Sequence, residues 1–130
     1  MIRLNNHQTG HLSFVFSNDE YILTINQKFL KHDYYTDIIT FDYNEHNCVS
    51  GDIIISVDRV HENALIHNVS FINELHRVII HGVLHLLGFS DKSNKEKIKM
   101  RQLEDHYLEQ LIEYQLLNIN NKTFVSRGTL

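Results

Sequence analysis

Residues 79–91 read IIHGVLHLLGFSD, an apolar run that carries two histidines, a glycine and an aspartate. His81 and His85 stand four residues apart, so on a helix their imidazoles share one face, about one turn apart. Two imidazoles placed this way can converge on a divalent cation. A structural zinc site takes four protein ligands, usually several of them cysteines, and this chain has one cysteine, Cys48. A catalytic site keeps three protein ligands and leaves one position open for water or substrate. Asp91 is placed to be the third, because Gly88 lets the chain reverse after the helix and bring a residue three positions later back toward the imidazoles. The pattern H-x-x-x-H-x-x-G-x-x-D thus holds three ligands and the turn that delivers the last. A packing account stands beside it: buried imidazoles often find a backbone or carboxylate partner, and Asp91 would suit the N-terminus of the next helix.

The neighbours narrow the chemistry. Gly82 occupies the position where H-E-x-x-H peptidases carry their glutamate base, so peptide hydrolysis by that route is disfavoured. Glu74 lies two turns before His81, roughly 10 Å along a helix axis, too far to act on a bound water, and reads as a solvated helix acid. Arg77, one turn before His81, can hold an anionic substrate at the metal and is a candidate catalytic residue with Asp91; it can equally be a surface arginine. Ser90 is a ligand or substrate hydrogen-bonder, or a plain loop serine. Lys92, Lys95, Lys97 and Lys99 follow the site and can attract a phosphate backbone, though Glu96 interleaves them as in a solvated helix start. Asp37 and Asp52 open two strands, where they shape a cleft or make turn hydrogen bonds.

These residues need a scaffold. MIRL, HLSFVF, DIITFDY and GDIIISV are rich in β-formers and read as four strands. Ser17 to Glu20 has capping-box spacing, with Ile22, Ile25, Asn26 and Phe29 at helical intervals, which predicts a helix over about 18–30. His32 to Tyr35 reads as a turn. A short helix follows over 58–67. Ser70 caps the next, whose core-facing stripe is Phe71, Leu75, Val78, Ile79, Gly82 and Leu86, and Gly88 closes it. Ser93 with Glu96 opens a final long helix marked by Met100, Leu103, Tyr107, Leu111 and Tyr114, and residues 118–130 read as a tail. Mixed strands followed by helices predict an α+β fold, a single mixed sheet of about four strands packed with helices, in one domain over residues 1–130.

The bulk numbers agree with one core. The chain has 130 residues, 42% hydrophobic and 22% charged, with a formal net charge of -4. That balance fits a globular domain and offers no general polyanion attraction. One cysteine suits a reducing compartment. The N-terminus lacks a signal-like apolar region, and no apolar run is long enough to span a bilayer. A cytoplasmic protein that does not act at membranes is expected.

The segment IHGVLHLLGFSD resembles the core motif of the YbeY-type endoribonucleases, the bacterial rRNA maturation factors, which runs H-G-x-L-H-L-x-G-[YF]-D-H. TDIITF, Thr36 to Phe41, resembles that family's T-D-V-L-S-F, and GDIIIS, Gly51 to Ser56, its G-D-I-x-I-S. Order and spacing agree over about residues 11–116. The resemblance implies a single-domain α+β metalloprotein with zinc in a cleft, acting as a single-strand endoribonuclease on the 3′ end of small-subunit ribosomal RNA and in ribosome quality control. Its partners would be ribosomal RNA and the ribosome or small-subunit proteins, with no DNA expected. By position His81 and His85 are the first two zinc ligands, and Asp91 falls where the family has a third histidine. A carboxylate there leaves a site charge near +1 where three neutral histidines would leave about +2, so bound water is less acidified and another divalent transition metal becomes admissible. Leu30, beside Lys31 and His32, stands where the family has an arginine thought to contact RNA phosphate. The family also places a helix between its first two strands, and only ten residues precede His11. A non-catalytic ribosome-assembly factor with a structural metal and a degenerate zincin-type hydrolase of another substrate are the rival classes.

Overall fold

A computed structural model describes residues 1–2, 5–30 and 36–129; the side chains of Leu30 and of residues 118–129 lie outside that description. The elements run β1 (Gln8–Ser17), α1 (Asp19–Ile25), a π-helical turn (Asn26–Leu30), β2 (Ile38–Asp42), β3 (Cys48–Ser56), α2 (Val57–Ile66), α3 (Phe71–Leu86) and α4 (Asn94–Thr129). The expected turn at His32 to Tyr35, with Lys31 and His32 as stand-ins for an arginine, lies outside the described residues.

Among the described residues the sheet has three strands in the order β1-β3-β2, with β1 parallel and β2 antiparallel to β3. The mixed sheet and the α+β class match the expectation; a fourth strand at MIRL is not among these strands. Arg3 and Leu4 are outside the description. The Ile2 carbonyl accepts from the Asn5 and His7 amides at 3.1 and 3.2 Å, which closes a turn. The apolar side chains of Met1 and Ile2 pack against the core instead of entering a ladder.

Strand β3 is central, and its Ile53–Ile55 run is buried on both faces. Ile53 and Ile55 join Val60, Val78, Val83 and Leu86 on the side of α2 and α3. Ile54, pointing the other way, packs with Ile22 and Ile25 of α1 and with Ile39. α3 is buried on a second side too, where Ile80 and Leu84 meet Met100 and Leu108 of α4. Sheet, α3 and α4 thus form successive layers, with α3 in the middle.

Helix starts follow side-chain capping. Ser56 and Ser70 accept from the Arg59 and Asn73 amides and cap α2 and α3. Ser93 and Glu96 exchange backbone and side-chain hydrogen bonds at 2.9 and 3.1 Å, the expected capping box. At α1 the cap is Asn18, whose side chain accepts from the Tyr21 amide, and not Ser17. Ser17 still belongs to β1, and its hydroxyl donates to the Ile55 carbonyl. The expected tail from 118 is a continuation of α4 to Thr129; no proline or glycine interrupts it before Gly128. No described helix is long and apolar enough to cross a membrane.

Candidate metal centre

His81 and His85 lie on the last turns of α3, with His81 also reaching Glu104 of α4. Gly82 faces the sheet: a Cβ there would stand 2.6 Å from Ile38 Cδ1 and 3.2 Å from Ile53 Cγ2. The helix therefore sits against β2 and β3, and a side chain at the position after His81 would have to displace the Ile38 Cδ1 methyl.

The chain reverses at Gly88, whose φ is +99°. The Phe89 amide donates to the Leu84 carbonyl and the Gly88 amide to the His85 carbonyl, both at 3.0 Å, the paired bonds of a Schellman closure. Phe89 packs against the α3–α4 core, and its carbonyl lies 3.0 Å from His85 Nδ1. Beyond it the chain brings Asp91 Oδ2 to 3.3 Å from His81 Nε2 and 3.5 Å from His85 Nε2. The two Nε2 atoms are 2.8 Å apart. The three donor atoms lie within 4.8 Å of one another and are half-buried.

The outer nitrogens decide what the inner ones can do. His81 Nδ1 stands 2.6 Å from Glu104 Oε2 on α4. A carboxylate and the Phe89 carbonyl can only accept, so each neutral ring carries its proton on Nδ1 and turns its Nε2 lone pair inward. With both rings neutral, two lone pairs and a carboxylate oxygen face one another, an arrangement that a cation or a proton on His81 would bridge. Donors around a tetrahedral zinc at about 2.0–2.2 Å stand roughly 3.3–3.6 Å apart; the two separations to Asp91 fall there, and the two Nε2 atoms at 2.8 Å stand closer than that. The residues present fit a divalent metal.

Glu104 is the residue that sequence reasoning missed. Its side chain is 8% exposed and is held by Arg77 Nη1 at 3.2 Å, while the same nitrogen lies 2.8 Å from Asp105. Burial pushes the Glu104 carboxyl up, but the hydrogen bonds and charges of His81 and Arg77 outweigh it and leave its pKa lowered. Burial likewise opposes a charge on His81, yet Glu104, with Asp91 and Asp37, raises its pKa. Arg77 thus spends its guanidinium on carboxylates of α4. The clue in the sequence is positional: Met100, Glu104 and Leu108 recur every four residues, so an acid interrupts a row that is otherwise buried.

Other expected residues are placed as follows. Glu74, read as solvated, is 4% exposed, and its carboxylate lies 3.7 Å from His67 Nδ1. Ser93, with a smaller contribution from Ser90, lowers the Glu96 pKa. Lys92, Lys95, Lys97 and Lys99 are exposed. Asp52 accepts from the Tyr43 hydroxyl at 3.2 Å. Asp37 reaches the site: it lines the cleft of about 570 Å³ that opens over the trio, with Thr36, Thr40 and Asn26. Burial pushes the Asp37 carboxyl up, against the opposing pull of His81.

With this geometry in view, comparison with known proteins is specific. The model of the family described as Endoribonuclease YbeY matches residues 2–112. The chain belongs to that family. Among YbeY relatives, "Endoribonuclease YbeY" of Porphyromonas gingivalis is 54% identical over 104 residues, covering 80% of this chain and 69% of that protein. The protein of the same name from Parabacteroides distasonis is 50% identical over 101 residues, covering 78% of this chain and 71% of its own length. The solution structure of TM1509 from Thermotoga maritima is similar at TM-score 0.62 and 31% identity, covering 90% of this chain and 77% of that one.

Proposed function

We propose that this chain is a metal-assisted endoribonuclease that cuts single-stranded RNA in maturation of the 3′ end of small-subunit ribosomal RNA and in ribosome quality control, with zinc held by His81, His85 and Asp91. One observation carries the reading. Three acceptor atoms converge while the outer nitrogen of each imidazole is tied to a group that cannot donate. Membership of the endoribonuclease family supports RNA as the substrate.

A divalent ion held there supplies Lewis acidity at the phosphodiester being cut. The chain's own residues do the rest. His81 and His85 present fixed tautomers, and Asp91 adds the charge that makes the set selective for a cation. In this reading Arg77 acts through Glu104 and not on the substrate. The cleft over the trio admits an unpaired strand, and Thr36 and Asp37, just ahead of β2, and Thr40 of β2 wall it. The filled position at Gly82 removes the acid that a zincin-type peptidase would need.

The test is cleavage of a single-stranded ribosomal RNA fragment by the zinc-loaded protein, by chelated protein and by Asp91→Ala. Chelation and the substitution should each slow cutting by at least about 100-fold, the upper end seen for losing even an outer partner of a metal ligand. Cutting that persists in both removes the metal from the mechanism. Intact RNA beside a filled site favours the assembly-factor alternative.

A further inference from the structure

An enzyme that cuts inside a strand must hold nucleotides on both sides of the scissile phosphate, and here two cavities meet at the ligand trio. The cleft of about 570 Å³ and a smaller cavity of about 290 Å³ both have Asp37, His81 and Asp91 in their walls. Their other walls differ in charge. No arginine or lysine is among the described residues lining the larger cleft. The smaller one is lined by Arg77 and Arg101, with His67 and Asn63 beside them.

We infer that the smaller cavity is a phosphate subsite for the RNA strand next to the cutting position, with Arg101 of α4 as its cationic anchor. The inference rests on the nuclease reading of the trio. Arg77 is the poorer candidate: its side chain is 18% exposed and is held by Glu104 and Asp105 at 3.2 and 2.8 Å. The Arg101 side chain is 54% exposed, and its 3.5 Å contact is the longest of the three that Glu104 makes, behind His81 at 2.6 Å and Arg77 at 3.2 Å. A guanidinium so lightly held can turn to a phosphate, which it matches with two parallel donors. Three of the four acids in the same cavity are already matched, and the fourth, Asp37, has Asn63 Nδ2 at 3.5 Å. Glu104 is held by His81 and Arg77, Glu74 faces His67, and Asp91 belongs to the ligand set. The chain as a whole carries -4, so a polyanion must find its attraction locally.

The experiment compares zinc-loaded wild type with Arg101→Ala and Arg101→Lys on a short single-stranded RNA. Loss of one charge-assisted contact should raise KM about 10-fold with kcat nearly unchanged. The slope of log affinity against log salt should become shallower by about 0.7, the value for one phosphate contact on a single strand. Lysine should restore part of both. Zinc affinity, read by competition with a chromogenic chelator, should not move. An unchanged KM and salt slope overturn the subsite. So does a parallel fall in zinc affinity, which would make Arg101 a support of Glu104. If wild type fails to cut, the nuclease reading falls separately. The subsite is then judged by fluorescence anisotropy of the same RNA, where Arg101→Ala must weaken binding or the inference falls too.

Discussion

The two imidazoles are aimed by different regions of the molecule. His85 is oriented within its own chain segment: the Gly88 turn closes α3, and the Phe89 carbonyl four residues on takes the outer nitrogen. His81 is oriented from another helix, by Glu104, 23 residues away, itself clamped by Arg77. The first support is backbone and forms with the helix end. The second exists only once α4 docks on α3. The candidate metal site is therefore half local and half tertiary, and its two imidazoles should respond differently to damage.

The largest effect expected is at the tertiary half. Glu104→Ala should weaken zinc binding by about 10–100-fold, the usual cost of losing the carboxylate behind a histidine ligand. Glu104→Gln, which keeps an acceptor, should lose less. Chelator competition at a temperature well below unfolding measures both, and wild-type affinity in the alanine variant would break the comparison. Next comes the local half. Gly88→Ala forces φ of +99° on a residue with a Cβ, although nothing lies within 4 Å of it, so the cost is backbone strain alone. More than about 1 kcal/mol should be lost, a fall of roughly 3–6 °C in Tm. Zinc affinity should fall less than in Glu104→Ala; the reverse order would mean that the turn, not α4, dominates.

The smallest effect lies far from both halves, where Asp19 joins α1 to α2 through Arg59 at 2.8 Å and the Ser56 hydroxyl at 2.7 Å. Burial works against the Asp19 carboxylate, but the Arg59 and Ser56 hydrogen bonds and the Arg59 charge outweigh it and lower its pKa. A carboxyl depressed in the folded state contributes stability that is full above its ordinary range and is lost as pH falls through the folded value. The Tm gap between wild type and Asp19→Asn should accordingly shrink on acidification, with no change in zinc affinity at neutral pH. A gap that widens in acid would contradict the assigned sign.

The same division explains what could be read from the chain alone. Features carried by residues within one turn were legible: the caps at Ser70 and Ser93, the reversal at Gly88, the shared face of His81 and His85. Features set by partners distant in sequence were not. Glu104 looks like any helix acid until α3 is known to lie across it. Glu74 reads as solvated for the same reason. Arg77 was placed near the trio, yet its partners on α4 could not be seen. Ser17 was a plausible cap until β1 claimed it and left the task to Asn18. MIRL has the composition of a strand, but the turn closed by the Ile2 carbonyl diverts its first residues into packing. The second apolar row of α3, Ile80 and Leu84, blurs a periodicity that assumes one buried face.

The close approach at Gly82 also limits what this scaffold can become. In an H-E-x-x-H peptidase the residue after the first histidine supplies the proton-accepting acid. Here that position is pressed onto Ile38 and Ile53. Gly82→Glu would have to push the Ile38 methyl aside and would point its side chain at the strands, not at the histidine trio. A descendant that gained a glutamate there would also have to repack Ile38 and Ile53, the floor on which its histidines stand.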